Sequence, residues 1–231
     1  MTPLLLLAIA AAHAGVHGPW LDDDPIGFDT GAPGLAYADP PACGAFSSRT
    51  SVQLPPSEDL YERANPVHEW GTPYMVDLLT YTAETMAIQL PDADRILIGD
   101  IGSRYGGPLP PHKTHREGVD ADVGFYLRGR TQGTSRTGFP HATPATLDYE
   151  ATWLEIKTLL DTGRVKFILL DQKLIDALRV WLLENDLATR TEVDNIFPPR
   201  DTPHIWEHEG YLWHVPLHDD HMHVQVKCSN D

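Results

Sequence analysis

The sequence predicts a single α+β domain in which helices flank a central antiparallel sheet, and three patterns support this prediction. Residues 221–226 alternate between polar and apolar side chains, as a strand with one buried face does. Residues 119–126 alternate in the same way. Amphipathic helical spacing occurs in several other segments, and helices that alternate loosely with strands favour helices packed on an antiparallel sheet.

The first half of the chain is predicted to begin with an irregular segment. Residues 15–66 are rich in Gly, Pro and Asp and show no sustained periodicity, which indicates an irregular N-terminal arm before a domain of residues 67–231. A helix is predicted over residues 73–88, with Thr72 as its N-cap and Pro73 at its first position. Residues 95–99 are predicted to form a buried strand that leads into a loop rich in glycine and proline.

In the second half, residues 128–146 have the composition of a surface loop. A helix is predicted over 149–160 after an Asp148 cap, a strand over 165–170, and a second helix over 173–184. Residues 191–216 are rich in aromatic residues and proline, and we expect them to form one wall of a substrate groove. The strand over 221–226 is expected to pair with the strand that contains Asp122.

Composition and the N-terminus bear on the location and partners of the protein. Residues 1–14 contain a short apolar run that ends in Ala-His-Ala, which predicts a cleavable signal peptide and a periplasmic or secreted protein; a disordered or buried apolar start is the alternative. No later stretch is long and apolar enough for a transmembrane helix. With 33 acidic and 17 basic residues, the formal charge of −16 argues against binding to nucleic acid or anionic lipid.

The sequence contains two cysteines, Cys43 and Cys228. In an exported protein, a pair of cysteines usually forms a disulfide. Such a bridge would tie the N-terminal arm to the last strand and stabilise the fold by about 3–5 kcal/mol. Two unrelated buried thiols are the alternative.

Two clusters of histidine and aspartate provide candidate metal ligands. In the last predicted strand, His221 and His223 share the polar face, and His218 lies just before it. About a hundred residues earlier, four further side chains lie close together in the sequence, namely His112, His115, Asp120 and Asp122. Imidazole nitrogen and carboxylate oxygen suit zinc, and three protein ligands with a fourth position left to water are typical of a catalytic site.

These residues resemble a known family of enzymes. His115, six intervening residues and Asp122, followed far downstream by His221-x-His223, resemble the HxxxxxxD and HxH motifs of the LAS metallopeptidases, whose fold is related to that of sonic hedgehog. The sequence is more similar still to the penicillin-insensitive murein endopeptidases. That similarity rests on four segments in the correct order: residues 43–63, 70–79, 99–123 and 218–228.

The resemblance implies a role for each residue. It makes His115, Asp122 and His223 the ligands of one catalytic zinc ion. His218 stands where many relatives carry a glutamate, and an imidazole there would serve as the general base near neutral pH. His221 would stabilise the oxyanion or hold the water. His112 would line the groove or bind a second ion, and Asp120 would orient a ligand. Asp219 and Asp220 could orient the base or act in its place.

The implied activity is hydrolysis of an amide in the peptide cross-links of peptidoglycan, of the D-alanyl to diaminopimelyl type. Two alternatives stay open from the sequence. A carboxypeptidase that removes terminal D-alanine would share the metal site and differ in the shape of its groove. A non-catalytic cell-wall-binding domain would keep the metal for stability alone, as in hedgehog-like relatives.

Overall fold

The structure is a computed structural model that describes residues 51–130, 138–197 and 211–227. The strands, in chain order, are β1 (Val52–Gln53), β2 (Tyr61–Arg63), β3 (Trp70–Gly71), β4 (Ile96–Ile98), β5 (Asp120–Gly124), β6 (Val165–Leu170), β7 (Leu212–His214) and β8 (His221–Val226). The helices are α1 (Pro73–Gln89), α2 (Tyr149–Asp161), α3 (Gln172–Glu184) and α4 (Arg190–Ile196).

The central sheet has six strands in the order β2-β4-β5-β8-β6-β7. Its four inner strands, β4, β5, β8 and β6, pair antiparallel, whereas the edge strands β2 and β7 run parallel to their neighbours. A separate antiparallel pair joins β1 to β3. The predicted fold class, an α+β domain with an antiparallel sheet at its centre, is confirmed.

The register of β5 against β8 brings the two predicted clusters together. Asp122 pairs with His223 and Asp120 pairs with Gln225. Directly opposed residues of an antiparallel pair project on the same face, so these four polar side chains meet on one side of the sheet. On the other face, alternating apolar residues of both strands are fully buried in the main core: Ala121, Val123, Met222 and Val224.

Helices α1 and α2 begin where the sequence predicts, and α3 begins one residue earlier than predicted. The hydroxyl of Thr72 accepts from the Met75 backbone N–H at the start of α1, and Pro73 occupies the first helical position. The carboxylate of Asp148 accepts from the Ala151 N–H at the start of α2. Each cap satisfies a backbone donor that the helix itself leaves unpaired. The helices bury apolar residues in the same core as the sheet.

Two segments are more regular than the sequence predicts. Residues 52–63, part of the expected irregular arm, include β1 and the edge strand β2, and they bury Leu54 and Tyr61 in the core. Residues 191–216, expected to form one wall of a substrate groove, include most of α4 and all of β7. In the sequence, α4 is marked by a capping box between Thr189 and Glu192. The short strands lack a local pattern because their pairing partners are distant in sequence.

Three predictions concern residues outside the described ranges. They are the signal peptide of residues 1–14, the disulfide between Cys43 and Cys228, and half of the predicted groove wall, residues 198–210. Among the described residues, the helices are too short or too polar for any of them to cross a bilayer.

The buried side chain of Glu69 predicts a dependence of stability on pH. It is 0% exposed and forms an ion pair with Arg63, and burial raises its pKa to about 7, although Arg63 opposes the shift. The folded state holds the proton of the Glu69 carboxyl group more tightly than the unfolded state does. The stabilisation that this proton provides is therefore lost as pH rises from about 4.5 to about 7. We expect Glu69→Gln to gain stability relative to the wild type by up to about 3 kcal/mol between pH 5 and pH 8. Urea unfolding of both proteins at these pH values measures this difference, and an equal difference at the two values would contradict it.

Candidate metal centre

Three side-chain atoms from separate parts of the chain form a compact triangle. His115 Nε2 lies 3.0 Å from His223 Nδ1 and 3.1 Å from Asp122 Oδ1, and the last two atoms are 3.3 Å apart. A tetrahedral zinc with bonds of about 2.0–2.1 Å separates its ligand atoms by roughly 3.3–3.4 Å. The triangle therefore has the size of one face of a zinc coordination tetrahedron. All three side chains are at least 95% buried, being at most 5% exposed.

Hydrogen bonds on the far side of each imidazole determine which nitrogen faces the triangle as an acceptor. His115 Nδ1 lies 3.2 Å from the carbonyl oxygen of Ile101, which only accepts, so Nδ1 carries the hydrogen and Nε2 carries a lone pair. His223 Nε2 likewise donates to Asp120 Oδ1 at 2.9 Å and leaves the lone pair on Nδ1. With Asp122 Oδ1, three acceptors face one another, and such a group requires a cation or a proton between its members. The donor set fits a metal ion.

Electrostatics favour a positive charge at this point. Burial would lower the pKa of His223, but hydrogen bonds and charge from Asp120 and Asp122 outweigh it and raise the pKa to about 9. Burial would raise the pKa of Asp122, but His115 and His223 hold it well below its usual value. In the absence of metal, a proton on His223 therefore neutralises the centre, and metal and proton compete for the same lone pair.

This competition predicts how metal affinity depends on pH. Below the His223 pKa of about 9, binding of a metal ion must release one proton. The apparent metal affinity should therefore fall about tenfold for each unit by which the pH is lowered. Competition with a chelating dye between pH 6.5 and pH 8.5 measures the slope. Asp120→Asn replaces one of the carboxylates that raise the His223 pKa with a neutral amide. As the pH is lowered, the metal affinity of this variant should therefore begin to fall at a lower pH than that of the wild type. An affinity that is constant across this range would contradict the assignment of His223 as a ligand.

Asp120 lies behind His223, as a residue that orients a ligand would. Its Oδ1 accepts from His223 Nε2 and, at 2.7 Å, from Gln225 Nε2, and the residue is 1% exposed. The hydroxyl of Thr114 lies 3.3 Å from the same His223 nitrogen. Sequence reasoning does not assign Thr114 or the Ile101 carbonyl to the site; the alternation of β8 does place Gln225 on the face of His223.

His112 lies at the edge of the triangle rather than in it. Its ring centroid is 4.3 Å from that of His115, and its Nδ1 is 3.7 Å from Asp122 Oδ2. Its Nε2 is 3.0 Å from Asp100 Oδ2. His112, His115 and Asp122 form a second, overlapping group of potential ligands whose atoms lie within 4.8 Å of one another. We favour the triangle that contains His223 because its shorter distances match a single coordination sphere.

His221 and its neighbour Asp220 form a pair beside the metal centre. His221 Nε2 points towards the triangle, 3.5 Å from Asp122 Oδ1, while its Nδ1 lies 2.6 Å from Asp220 Oδ1. Since a carboxylate only accepts, Nδ1 carries a hydrogen, and in the neutral ring Nε2 presents a lone pair to the site.

His218 also lies next to the centre, with its ring centroid 4.9 Å from that of His221 and 6.2 Å from that of His223. Its Nδ1 donates to the carbonyl of Pro216 at 3.1 Å, which leaves the lone pair on Nε2. Burial lowers the pKa of His218, and any charge on His221 or His223 would lower it further, so the ring is neutral at neutral pH. A neutral imidazole with an available lone pair can accept a proton.

Asp219 points away from these histidines. Its Oδ1 lies 3.0 Å from the Nδ1 of His141, which is largely exposed, and its carbonyl accepts from the Ala142 N–H. Among the described residues, Asp219 therefore contacts the loop that precedes α2, whereas Asp220 contacts His221. Of the two carboxylates that sequence reasoning leaves open, Asp220 is the one directed at the site.

Phe139 covers one face of His221. The two ring centroids are 5.2 Å apart, with the planes inclined by 36°. The Phe139 ring lies over Gly99 and Gly124, where a side chain would collide with it: a Cβ on Gly124 would come within 3.2 Å of the ring. Sequence reasoning does not point to Phe139, because its segment has only the composition of a loop and the two glycines that accommodate it lie in other segments.

Comparison with known families identifies this region. Residues 46–146 match the family model described as penicillin-insensitive murein endopeptidase. The matched range includes His112, His115 and Asp122 and stops before β8. A search among curated proteins found no match. The predicted resemblance to this family is confirmed over the matched residues, and because a murein endopeptidase is a hydrolase, the prediction of an enzyme is confirmed as well.

Proposed function

We propose that the whole chain is an exported zinc peptidase that hydrolyses amide bonds in the peptide cross-links of peptidoglycan; the match of residues 46–146 to the penicillin-insensitive murein endopeptidase family supports this proposal. The observation that carries the proposal is the triangle of acceptors from His115, Asp122 and His223, with separations of 3.0–3.3 Å. The bond proposed is of the D-alanyl to diaminopimelyl type, and this detail rests on the resemblance of the motifs. Peptidoglycan is outside the cytoplasm, so a periplasmic or secreted location follows.

His115, Asp122 and His223 would hold the zinc ion through two neutral nitrogens and one anionic oxygen. The chemistry that zinc supplies in such a site is Lewis acidity, which polarises a carbonyl and makes water easier to deprotonate. Asp120 keeps the His223 lone pair directed at the centre by accepting its Nε2 hydrogen. His112 would line the groove, and a second ion beside it is compatible with its distance from His115 and Asp122.

His218 is the proposed general base. Its Nε2 would take a proton from the attacking water as the oxygen bonds to the scissile carbonyl carbon, and would then give the proton to the leaving amine as the C–N bond breaks. The Pro216 carbonyl fixes the tautomer that this role needs. His221, held by Asp220, would orient the same water through its Nε2 lone pair. As an imidazolium it would instead donate to the oxyanion.

Export also motivates the proposal of a disulfide between Cys43 and Cys228. In an oxidising compartment the pair would be expected to be bridged. Mass spectrometry of the protein purified from the periplasm or the medium, digested with and without reductant, would identify the linked peptides. Two free thiols in that sample would refute this part of the proposal.

Digestion of purified cross-linked muropeptides tests the activity. The zinc-loaded protein should convert muropeptide dimers into monomers, and an excess of chelator should stop the reaction. Loss of terminal D-alanine without conversion of dimers would support the carboxypeptidase instead. Zinc binding with neither product would support the binding domain. His214→Ala is a suitable control, because His214 is an exposed residue of β7 outside the metal centre.

A further inference from the structure

Asp100 is held beside the metal centre by the backbone. It lies two residues after the end of β4, and its carbonyl accepts from the Asp122 N–H at 2.9 Å, while the Gly99 N–H donates to the Asp122 carbonyl at 2.8 Å. These two bonds continue the pairing of β4 with β5 by one step. The Asp100 side chain is therefore fixed in position relative to that of Asp122.

The Asp100 carboxylate contacts three polar side chains. Oδ2 lies 3.0 Å from His112 Nε2, and Oδ1 lies 3.0 Å from Asn65 Nδ2 and 3.3 Å from His68 Nδ1. Side-chain nitrogens face both of its oxygens, as they would an ionised carboxylate. A carboxylate only accepts, so His112 carries a hydrogen on Nε2.

We infer that Asp100 is a positioning residue that fixes the tautomer and orientation of His112, so that His112 Nδ1 presents a lone pair to the metal centre. The geometry on which this rests is the 3.0 Å contact on one side of the ring and the 3.7 Å separation of Nδ1 from Asp122 Oδ2 on the other. A hydrogen on Nδ1 would instead place a donor beside the groups that hold a cation. The inference rests on the proposed function, because it assigns a role to His112 at the same site.

Asn65 contacts the same carboxylate and would orient a side-chain amide in its place. Its Nδ2 lies 2.8 Å from His68 Nδ1 and 3.0 Å from Asp100 Oδ1, and since the carboxylate only accepts, this group is the amide NH₂ of Asn65. With Asn65 oriented as in the wild type, the new carbonyl oxygen of Asp100→Asn faces this donor, which turns the new NH₂ towards His112 Nε2. His112 Nε2 would then have to accept, and its hydrogen would move to Nδ1.

The expected order of variants is therefore the reverse of what a structural role predicts. Asp100→Ala removes the contact without imposing the wrong tautomer, and should weaken zinc binding and kcat/KM by about tenfold. Asp100→Asn keeps the size of the side chain but imposes the wrong tautomer, and should weaken both by about 100-fold. Asn65→Ala combined with Asp100→Asn should recover part of that loss, because the new amide is free to turn over and accept from His112.

Zinc affinity, measured by competition with a chelating dye at pH 7.5, is the main readout because it does not depend on turnover. Thermal unfolding identifies any variant that fails to fold. If Asp100→Ala fails to fold, the zinc affinities of Asp100→Asn with and without Asn65→Ala test the inference. A milder effect of Asp100→Asn than of Asp100→Ala would overturn the inference, as would the absence of any recovery in the double variant. The inference would also be overturned if Asp100→Asn lowered zinc affinity by the same factor in a His112→Ala background as in the wild type. If the wild type cuts no muropeptide, the proposed function fails, but the order of zinc affinities still tests the role of Asp100.

Discussion

The His218→Ala protein is expected to keep its zinc and to lose turnover by a factor of about 10²–10⁴, the usual contribution of a general base. His218 is absent from the triangle of ligand atoms, and its ring centroid lies 6.2 Å from that of His223, so its removal leaves the metal donors in place. What is lost is a neutral imidazole with its Nε2 lone pair available. Zinc content by atomic spectroscopy and steady-state rates on cross-linked muropeptides measure the two effects separately.

Asp219 and Asp220 provide the controls for this experiment. Asp219→Asn should have little effect, because Asp219 is bonded to the exposed His141 and directed away from the site. Asp220→Asn should lower kcat moderately, since Asp220 only holds His221. Wild-type turnover in His218→Ala would show that His218 is not the base. A large loss in Asp219→Asn would then assign the base to that carboxylate.

The His223→Ala protein is expected to lose both zinc and activity. This substitution removes one corner of the triangle and leaves His115 and Asp122 as the two remaining donors, while Asp120 loses the imidazole to which it is bonded. Because removal of a residue that merely orients a ligand already costs about 10–100-fold in metal affinity, loss of a ligand should exceed about 100-fold. Equilibrium dialysis against a zinc buffer measures the affinity.

His214→Ala is the matched control, since it also removes one imidazole from a strand of the same sheet. His214 is exposed, and its Nδ1 accepts from the Gln172 N–H at the start of α3. We expect this variant to bind zinc as the wild type does. Equal loss of zinc in both variants would mean that the metal is held by histidines in general rather than by the triangle.

The pairing of β5 with β8 is predictable from the sequence because the periodicity of both strands is intact. Each strand has one apolar face, so the apolar positions fix which side chains lie on the polar face, and a shift of one residue would turn the histidines into the apolar core. Asp122 and His223 must then lie on the same side once the strands pair. The helix starts are equally local: Thr72 and Asp148 act within one turn of the helices that they cap.

What the sequence does not predict depends on contacts between distant segments. The edge strand β2 has three residues and pairs parallel with β4, a pairing that leaves no periodic signal. The tautomer of His115 depends on the Ile101 carbonyl, and that of His112 depends on Asp100. Neither contact can be predicted from residue type. Every residue has a backbone carbonyl and the chain has many carboxylates, and only the folded chain determines which of them lies beside each histidine.

The central claim is that one cation is bound between His115, Asp122 and His223. A crystal structure of the zinc-soaked protein, with anomalous data collected on both sides of the zinc absorption edge, tests it most directly. We expect a zinc-specific peak about 2.0–2.2 Å from His115 Nε2, Asp122 Oδ1 and His223 Nδ1. A peak elsewhere, or no peak with these three side chains still in contact with one another, would contradict the account.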